Sequence, residues 1–136
     1  MINFVIVSHS QALAEGLVAL TNQIKAPECK IIPAGGLEDP PGGIGTDTIK
    51  IIQAIEDAFS DDGVIVFVDL GSAILGTQTA LDLLDPIMAE KVHLSYAPLI
   101  EGTIAAVVAA SSGASLEEAL SEANEAAALK LSLNDQ

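Results

Sequence analysis

Apolar residues fall along the chain in two alternating patterns, short unbroken runs and longer stretches at helical spacing. The first run, Ile2-Asn3-Phe4-Val5-Ile6-Val7, is almost continuously apolar, as expected of a strand covered on both faces in a parallel sheet. Leu13, Leu17, Leu20 and Ile24 then recur at i, i+4, i+7 and i+11, which predicts one stripe of an amphipathic helix. Cys29 to Ala34 reads as a short second strand. Gly35 to Gly45, with its glycines and prolines, reads as a long loop. Thr46 or Asp47 can cap the next helix, whose apolar stripe is Ile51 or Ile52, Ile55 and Phe59.

The pattern then repeats. Asp61-Asp62-Gly63 is a turn, Val64-Ile65-Val66-Phe67-Val68 a second all-apolar strand, and Gly71-Ser72 opens a helix running to Leu84 and ended by Pro86. Val92 to Tyr96 is the fourth strand, closed by Ala97-Pro98. Gly102 to Ser112 predicts a small-residue helix with Gly113 at its C′ position. Ser115-Leu116-Glu117-Glu118 is a capping box for a last helix striped by Leu116, Leu120, Ala123 and Ala127. Strands alternating with helices specify an α/β fold with a mainly parallel sheet, helices on both faces and right-handed crossovers. At 136 residues, a single domain over 1–136 is expected.

Composition narrows the chemistry. The core must be aliphatic, since the chain has three Phe, one Tyr and no Trp. One cysteine, Cys29, excludes an internal disulfide and a multi-cysteine metal cage, and beside Lys30 it reads as an inert packing residue. Nineteen acids against five bases leave a net charge of −14, and all five bases are lysines. Without arginine there is no bidentate phosphate fork and no base-reading guanidinium, so nucleic acid and anionic lipid are poor partners. No basic leader precedes an apolar segment at the N-terminus, and no apolar run reaches membrane-spanning length, so a cytoplasmic protein is expected.

In open α/β sheets ligands bind at the carboxyl ends of the strands. Those ends carry Ser8-His9-Ser10, then the glycine loop through Gly45-Thr46-Asp47, then Asp69-Leu70-Gly71-Ser72, then Ala97 to Thr103. His9 is either a turn histidine or a reactive imidazole. Ser8 or Ser10 can cap the helix that follows, and the amides of that first turn favour an anion beside the ring. Asp69 is either the cap of the next helix or the carboxylate that holds one imidazole nitrogen and frees the other. Gly42-Gly43-Ile44-Gly45-Thr46 is neither a dinucleotide fingerprint nor a P-loop, and His93, inside a strand, reads as structural. Two distant histidines and one cysteine make a poor metal set, so neither a metal nor another cofactor is expected. Lys25, Lys30 and Lys91 lie near strand starts, away from His9, and only Lys50 could reach its rim.

Val5-Ile6-Val7-Ser8-His9-Ser10, Gly45-Thr46-Asp47, Asp69-Leu70-Gly71-Ser72-Ala73 with Thr79-Ala80-Leu81, and Ala97-Pro98-Leu99-Ile100-Glu101-Gly102-Thr103 together resemble the mannose-type IIA domains of the phosphoenolpyruvate phosphotransferase system. The resemblance is strongest to the phosphoryl-carrier subunits of bacterial dihydroxyacetone kinases. It implies that His9 accepts a phosphoryl group from the phosphocarrier HPr and that Asp69 orients it. It further implies transfer to ADP on a nucleotide-binding subunit, which phosphorylates dihydroxyacetone held on another. Ser8, Ser10, Thr46, Gly71 and Ser72 would surround the phosphate. A sheet order of 2-1-3-4 and a homodimer are also implied, the latter in keeping with the small-residue run Ile104 to Ala110. Sugar-transporting relatives usually carry glycine beside the histidine, so Ser8 and Ser10 favour the dihydroxyacetone branch. Ending after one domain, the chain is expected to depend on free HPr. Rival readings are a IIA domain serving a mannose-family transporter and a non-enzymatic binding module. Asp39, Asp47 and Glu101 are candidate acids around His9 that partners with basic patches would meet.

Overall fold

The computed structural model describes residues 1–134. Its elements are β1 (Asn3–Ser8), α1 (Gln11–Thr21), β2 (Ile31–Gly35), α2 (Thr48–Ala58), β3 (Val64–Val68), α3 (Gly71–Leu83), α4 (Pro86–Ala89), β4 (Val92–Ser95), α5 (Leu99–Ser111) and α6 (Leu116–Asn134). The strands form one sheet in the order β2-β1-β3-β4, every pairing parallel. Both the α/β alternation and the implied order are thus realised. β1 and β3 occupy the centre, which accounts for their unbroken apolar runs.

Alternate residues of those two strands serve two cores. Phe4, Ile6, Ile65 and Phe67 face α1, α5 and α6, while Val5, Val7, Val64, Val66 and Val68 face α2 and α3. Phe4 and Phe67 stack with ring centroids 6.3 Å apart. Burying each such side chain contributes roughly 1.5–3 kcal/mol, so the central pair of strands is the most firmly held part of the sheet. Cys29 is buried in the same core, and burial pushes its thiol pKa up, as suits an unreactive packing residue.

Three local expectations need correction. In α1 only Leu17 of the predicted stripe is buried; Leu13, Leu20 and Ile24 are exposed, and the inward face is Ala14, Leu17 and Thr21. The reason is the closeness of α1 to β2. A Cβ on Gly35 would lie 2.7 Å from the Ser10 carbonyl and 2.9 Å from the Ala14 Cβ, so only small residues fit this contact. Second, Pro86 does more than end a helix: Asp85 caps a further short helix, α4, with Pro86 in its first turn. Third, α5 begins at Leu99, three residues before the expected start, because Pro98 with its extended backbone serves as its N-cap. The small-residue run of α5 is only partly packed within the chain, and Val108 stays exposed. Ala106, Val107 and Ala110 are buried, and a Cβ on Gly102 would come 2.7 Å from the Ala97 Cβ.

Other signals hold. Ser115 and Glu118 bond reciprocally, with each backbone amide donating to the other's side chain at 3.1 and 3.2 Å. Gly113 takes a positive φ of 94° after α5, and Asp47, the second of the two candidate caps, accepts from the amides of Ile49 and Lys50. No helix among the described residues is long and apolar enough to cross a membrane.

Candidate functional site

The site follows from the register of the two central strands. Val7 pairs with Val68, and the Asp69 amide still donates to the Val7 carbonyl at 3.2 Å. Ser8 and Asp69 are therefore opposite one another at the carboxyl rim, and His9 is the first residue beyond it. The β2 end joins from the other side, where Ser8 pairs with Gly35. The glycine loop folds back on the same turn, its Gly45 amide donating to the His9 carbonyl at 2.8 Å.

Asp69 is a partner of the imidazole and not a helix cap. Its Oδ1 lies 2.9 Å from His9 Nδ1 and accepts the Leu70 amide at 2.7 Å. Oδ2 accepts the Ser8 hydroxyl at 2.9 Å and the His9 amide at 3.0 Å. Burial would raise the pKa of this carboxyl, but the bonds from the His9 amide and ring, Ser8 and Leu70 outweigh it and hold it below the usual value. Asp69 is thus ionised at neutral pH. An ionised carboxylate only accepts, so Nδ1 carries the proton facing it, and in the neutral imidazole Nε2 presents its lone pair.

Nε2 faces the hydroxyl of Ser72, with which it is hydrogen-bonded. Ser72 stands in the first turn of α3, whose N-cap, Leu70, supplies no side-chain acceptor. The amides of Gly71 and Ser72 therefore have neither an intrahelical nor a capping partner, and the position above Gly71 is open space. A group attached to Nε2 would meet a hydroxyl and the positive end of a helix.

The remaining expected residues divide. Ser10 is the cap of α1, its hydroxyl oxygen accepting the Leu13 amide at 3.2 Å and its proton left for another acceptor. Thr46 lies next to the residue bonded to His9, but its side chain packs toward Gly76 of α3 and makes no hydrogen bond to the imidazole. Ser8 does not contact a phosphate: it is fully buried, and its hydroxyl is committed to Asp69 and to the Ser10 amide. Lys50 does reach the rim, where its ammonium donates to the Gly35 carbonyl at 3.1 Å and pairs with Glu38 at 3.6 Å. Glu101 is ion-paired with Lys130, a contact not visible in the sequence pattern. His93 is half-buried on β4. Among the described residues no three His, Cys, Asp or Glu side chains gather as a metal site.

Comparison with known proteins places the chain in a family. The family profile EIIA-man, described as the PTS system fructose IIA component, matches residues 3–120. The chain belongs to this family. Its relatives include the protein named PEP-dependent dihydroxyacetone kinase, phosphoryl donor subunit DhaM, in Providencia stuartii, 50% identical over 99% of this chain. The protein of the same name in Escherichia coli is 48% identical over 93% of the chain. The chain spans under a third of the length of these two relatives, 29% and 27% respectively. A Listeria innocua family member, named PEP-dependent dihydroxyacetone kinase 2, phosphoryl donor subunit DhaM, is 38% identical, with 90% of this chain aligned to 96% of that protein. A crystal structure of the protein EF1359, described as of unknown function, superposes with a TM-score of 0.83 at 36% identity, covering 92% of this chain and 94% of that one. The family match takes in β1, β3, His9, Asp69 and Ser72, the whole rim described above.

Proposed function

We propose that this chain is a phosphohistidine carrier that receives a phosphoryl group from phospho-HPr on His9 and delivers it to ADP on the nucleotide-binding subunit of a dihydroxyacetone kinase. The observation that carries the reading is the bond between Asp69 and His9 Nδ1, which leaves Nε2 as the nucleophile beside the open turn of α3. The names of the relatives support the dihydroxyacetone branch.

In the first transfer the Nε2 lone pair attacks the phosphorus held on a histidine of HPr. The Nε2–P bond forms as the donor's P–N bond breaks, and the electron pair of that bond returns to the donor imidazole. Because Nδ1 keeps its proton, the phosphorylated ring is cationic, and the Asp69 carboxylate balances that charge. Ser72 turns its hydroxyl from Nε2 to a phosphoryl oxygen, with the Gly71 and Ser72 amides and the Ser10 hydroxyl as further donors. In the second transfer a terminal oxygen of ADP attacks the phosphorus, the Nε2–P bond breaks, and His9 returns neutral. The ATP so formed phosphorylates dihydroxyacetone on the third subunit. Without arginine the site holds the phosphoryl group modestly, and tight ground-state binding would only slow the onward step. This role is cytoplasmic, is that of the phosphoryl-carrier component of a phosphotransferase, and needs neither metal nor cofactor. The carrier acts as a homodimer.

The test supplies phosphoenolpyruvate, enzyme I and HPr together with the nucleotide-binding and dihydroxyacetone-binding subunits. Dihydroxyacetone phosphate should form only when this chain is present. Uptake of phosphate followed by delivery to a mannose-type transporter alone would reassign the acceptor. No uptake at all would leave a binding module.

A further inference from the structure

We propose that Ser8 is a positioning residue, whose buried hydroxyl locks the Asp69 carboxylate in the orientation that keeps the proton of His9 on Nδ1. The hydroxyl has one proton to give. Its oxygen already accepts the Ser10 amide at 3.0 Å, so the proton is directed to Asp69 Oδ2, 2.9 Å away. Ser8 is wholly inaccessible, so water cannot substitute for either partner. The other three donors to Asp69 are the backbone amides of His9 and Leu70 and the His9 ring itself. Among the described residues Ser8 is thus the one side chain, apart from the histidine, that fixes the carboxylate plane.

Geometry gives this contact its effect. Rotation of the carboxylate about its Cβ–Cγ bond would carry Oδ1 away from Nδ1, and both Oδ2 bonds oppose that rotation. With Ser8 removed, Oδ2 keeps only the His9 amide and a buried acceptor site is left unfilled. The ring then has less reason to hold its proton on Nδ1, and the fraction of His9 with a free Nε2 lone pair falls. Since Ser8 reaches no surface, it cannot touch HPr or a nucleotide. Its effect must therefore fall on the chemical step and not on encounter.

This inference rests on the carrier reading for its kinetic arm and stands without it for its spectroscopic one. Long-range ¹H–¹⁵N correlation of the unphosphorylated protein should show His9 in the single Nδ1–H tautomer, and Ser8→Ala should give a mixture of both. With phospho-HPr as donor, Ser8→Ala should lower kcat about tenfold, the weight of one hydrogen bond to a charged acceptor, and leave KM unchanged. Ser8→Thr, which keeps the hydroxyl, should restore most of kcat and the single tautomer. Equal losses in Ser8→Ala and Ser8→Thr, or an unaltered tautomer and kcat in Ser8→Ala, would overturn the assignment; so would a loss confined to KM. If Ser8→Ala does not fold, Ser8→Cys preserves the volume with a weaker donor, and a wild-type tautomer and kcat there would overturn it equally. If the wild-type protein takes no phosphate, the carrier reading fails, and the tautomer comparison still decides the role of Ser8.

Discussion

Asp69 engages four donors on three residues, and its substitution should be felt in two distinct ways. Asp69→Ala should slow phosphoryl acceptance on the order of 10²–10⁴-fold, the range for a positioned acid–base or orienting partner; an unchanged rate would return Asp69 to a purely structural role. The second effect is on stability. Its pKa is held below the ordinary carboxylate value of about 3.9, since the bonds it accepts outweigh burial. The folded state therefore gains stability from Asp69 above that value, and loses it as pH falls toward the lower pKa of the native carboxyl. Thermal unfolding against pH should show wild type more stable than Asp69→Asn at neutral pH, with the gap narrowing below about pH 4. A gap that widened in acid would contradict the sign. The sequence supplied His9 and Asp69 as candidates because each follows an apolar strand. It left Asp69 open between cap and partner, since strand neighbours and register decide that choice. The burial of Ser8 against Asp69 is hidden for the same reason. A serine beside the histidine reads as a ligand until the paired strand brings a carboxylate opposite it.

At the scale of elements, the His9 turn depends on how closely α1 lies on the end of β2. A Cβ on Gly35 would sit 2.7 Å from the Ser10 carbonyl and 2.8 Å from the Gln11 Cα, both backbone atoms that cannot swing aside. Gly35→Ala should therefore destabilise the fold by an overpacking cost of about 1–3 kcal/mol and displace the first turn of α1. Chemical denaturation measures the first effect and the His9 and Ser10 amide shifts the second; a neutral substitution would show that α1 is free to move. This contact also explains why the apolar stripe of α1 does not mark its inward face. Periodicity shows that a helix is amphipathic, but the closeness of its neighbour decides which face is inward, and here that face is Ala14 and Thr21 with only Leu17 among the large residues. The strands and the α6 capping box were legible because their signals are local. The early start of α5 and the helix after Asp85 are not legible in the pattern, because a proline that ends one element here also opens the next.

Across the whole molecule, the charge of −14 sets how partners arrive. Of the three acids expected around His9, Asp47 is tied to the α2 amides and Glu101 to Lys130, while Asp39 is exposed on the glycine loop. The steering field is thus the summed charge more than any single residue. Transfer from phospho-HPr should slow as salt shortens the Debye length from roughly 30 to 8 Å, and Asp39→Asn alone should alter it little; a salt-indifferent rate in stopped flow would assign encounter to contact shape instead. The proposed homodimer belongs to this scale as well. Beside the buried face of α5, Ile104 and Val108 line an apolar groove with Leu129 and Leu133 of α6. Light scattering should give twice the chain mass across dilution, and a concentration-independent monomer would reject the dimer. Most direct of all is the fate of one phosphoryl group. Incubation with phosphoenolpyruvate, enzyme I and HPr, followed by mass spectrometry under conditions that preserve phosphohistidine, should place a single phosphoryl group on His9 and none on His9→Gln. An unmodified wild-type chain, or a His9→Gln variant that still gains the group, would contradict the account.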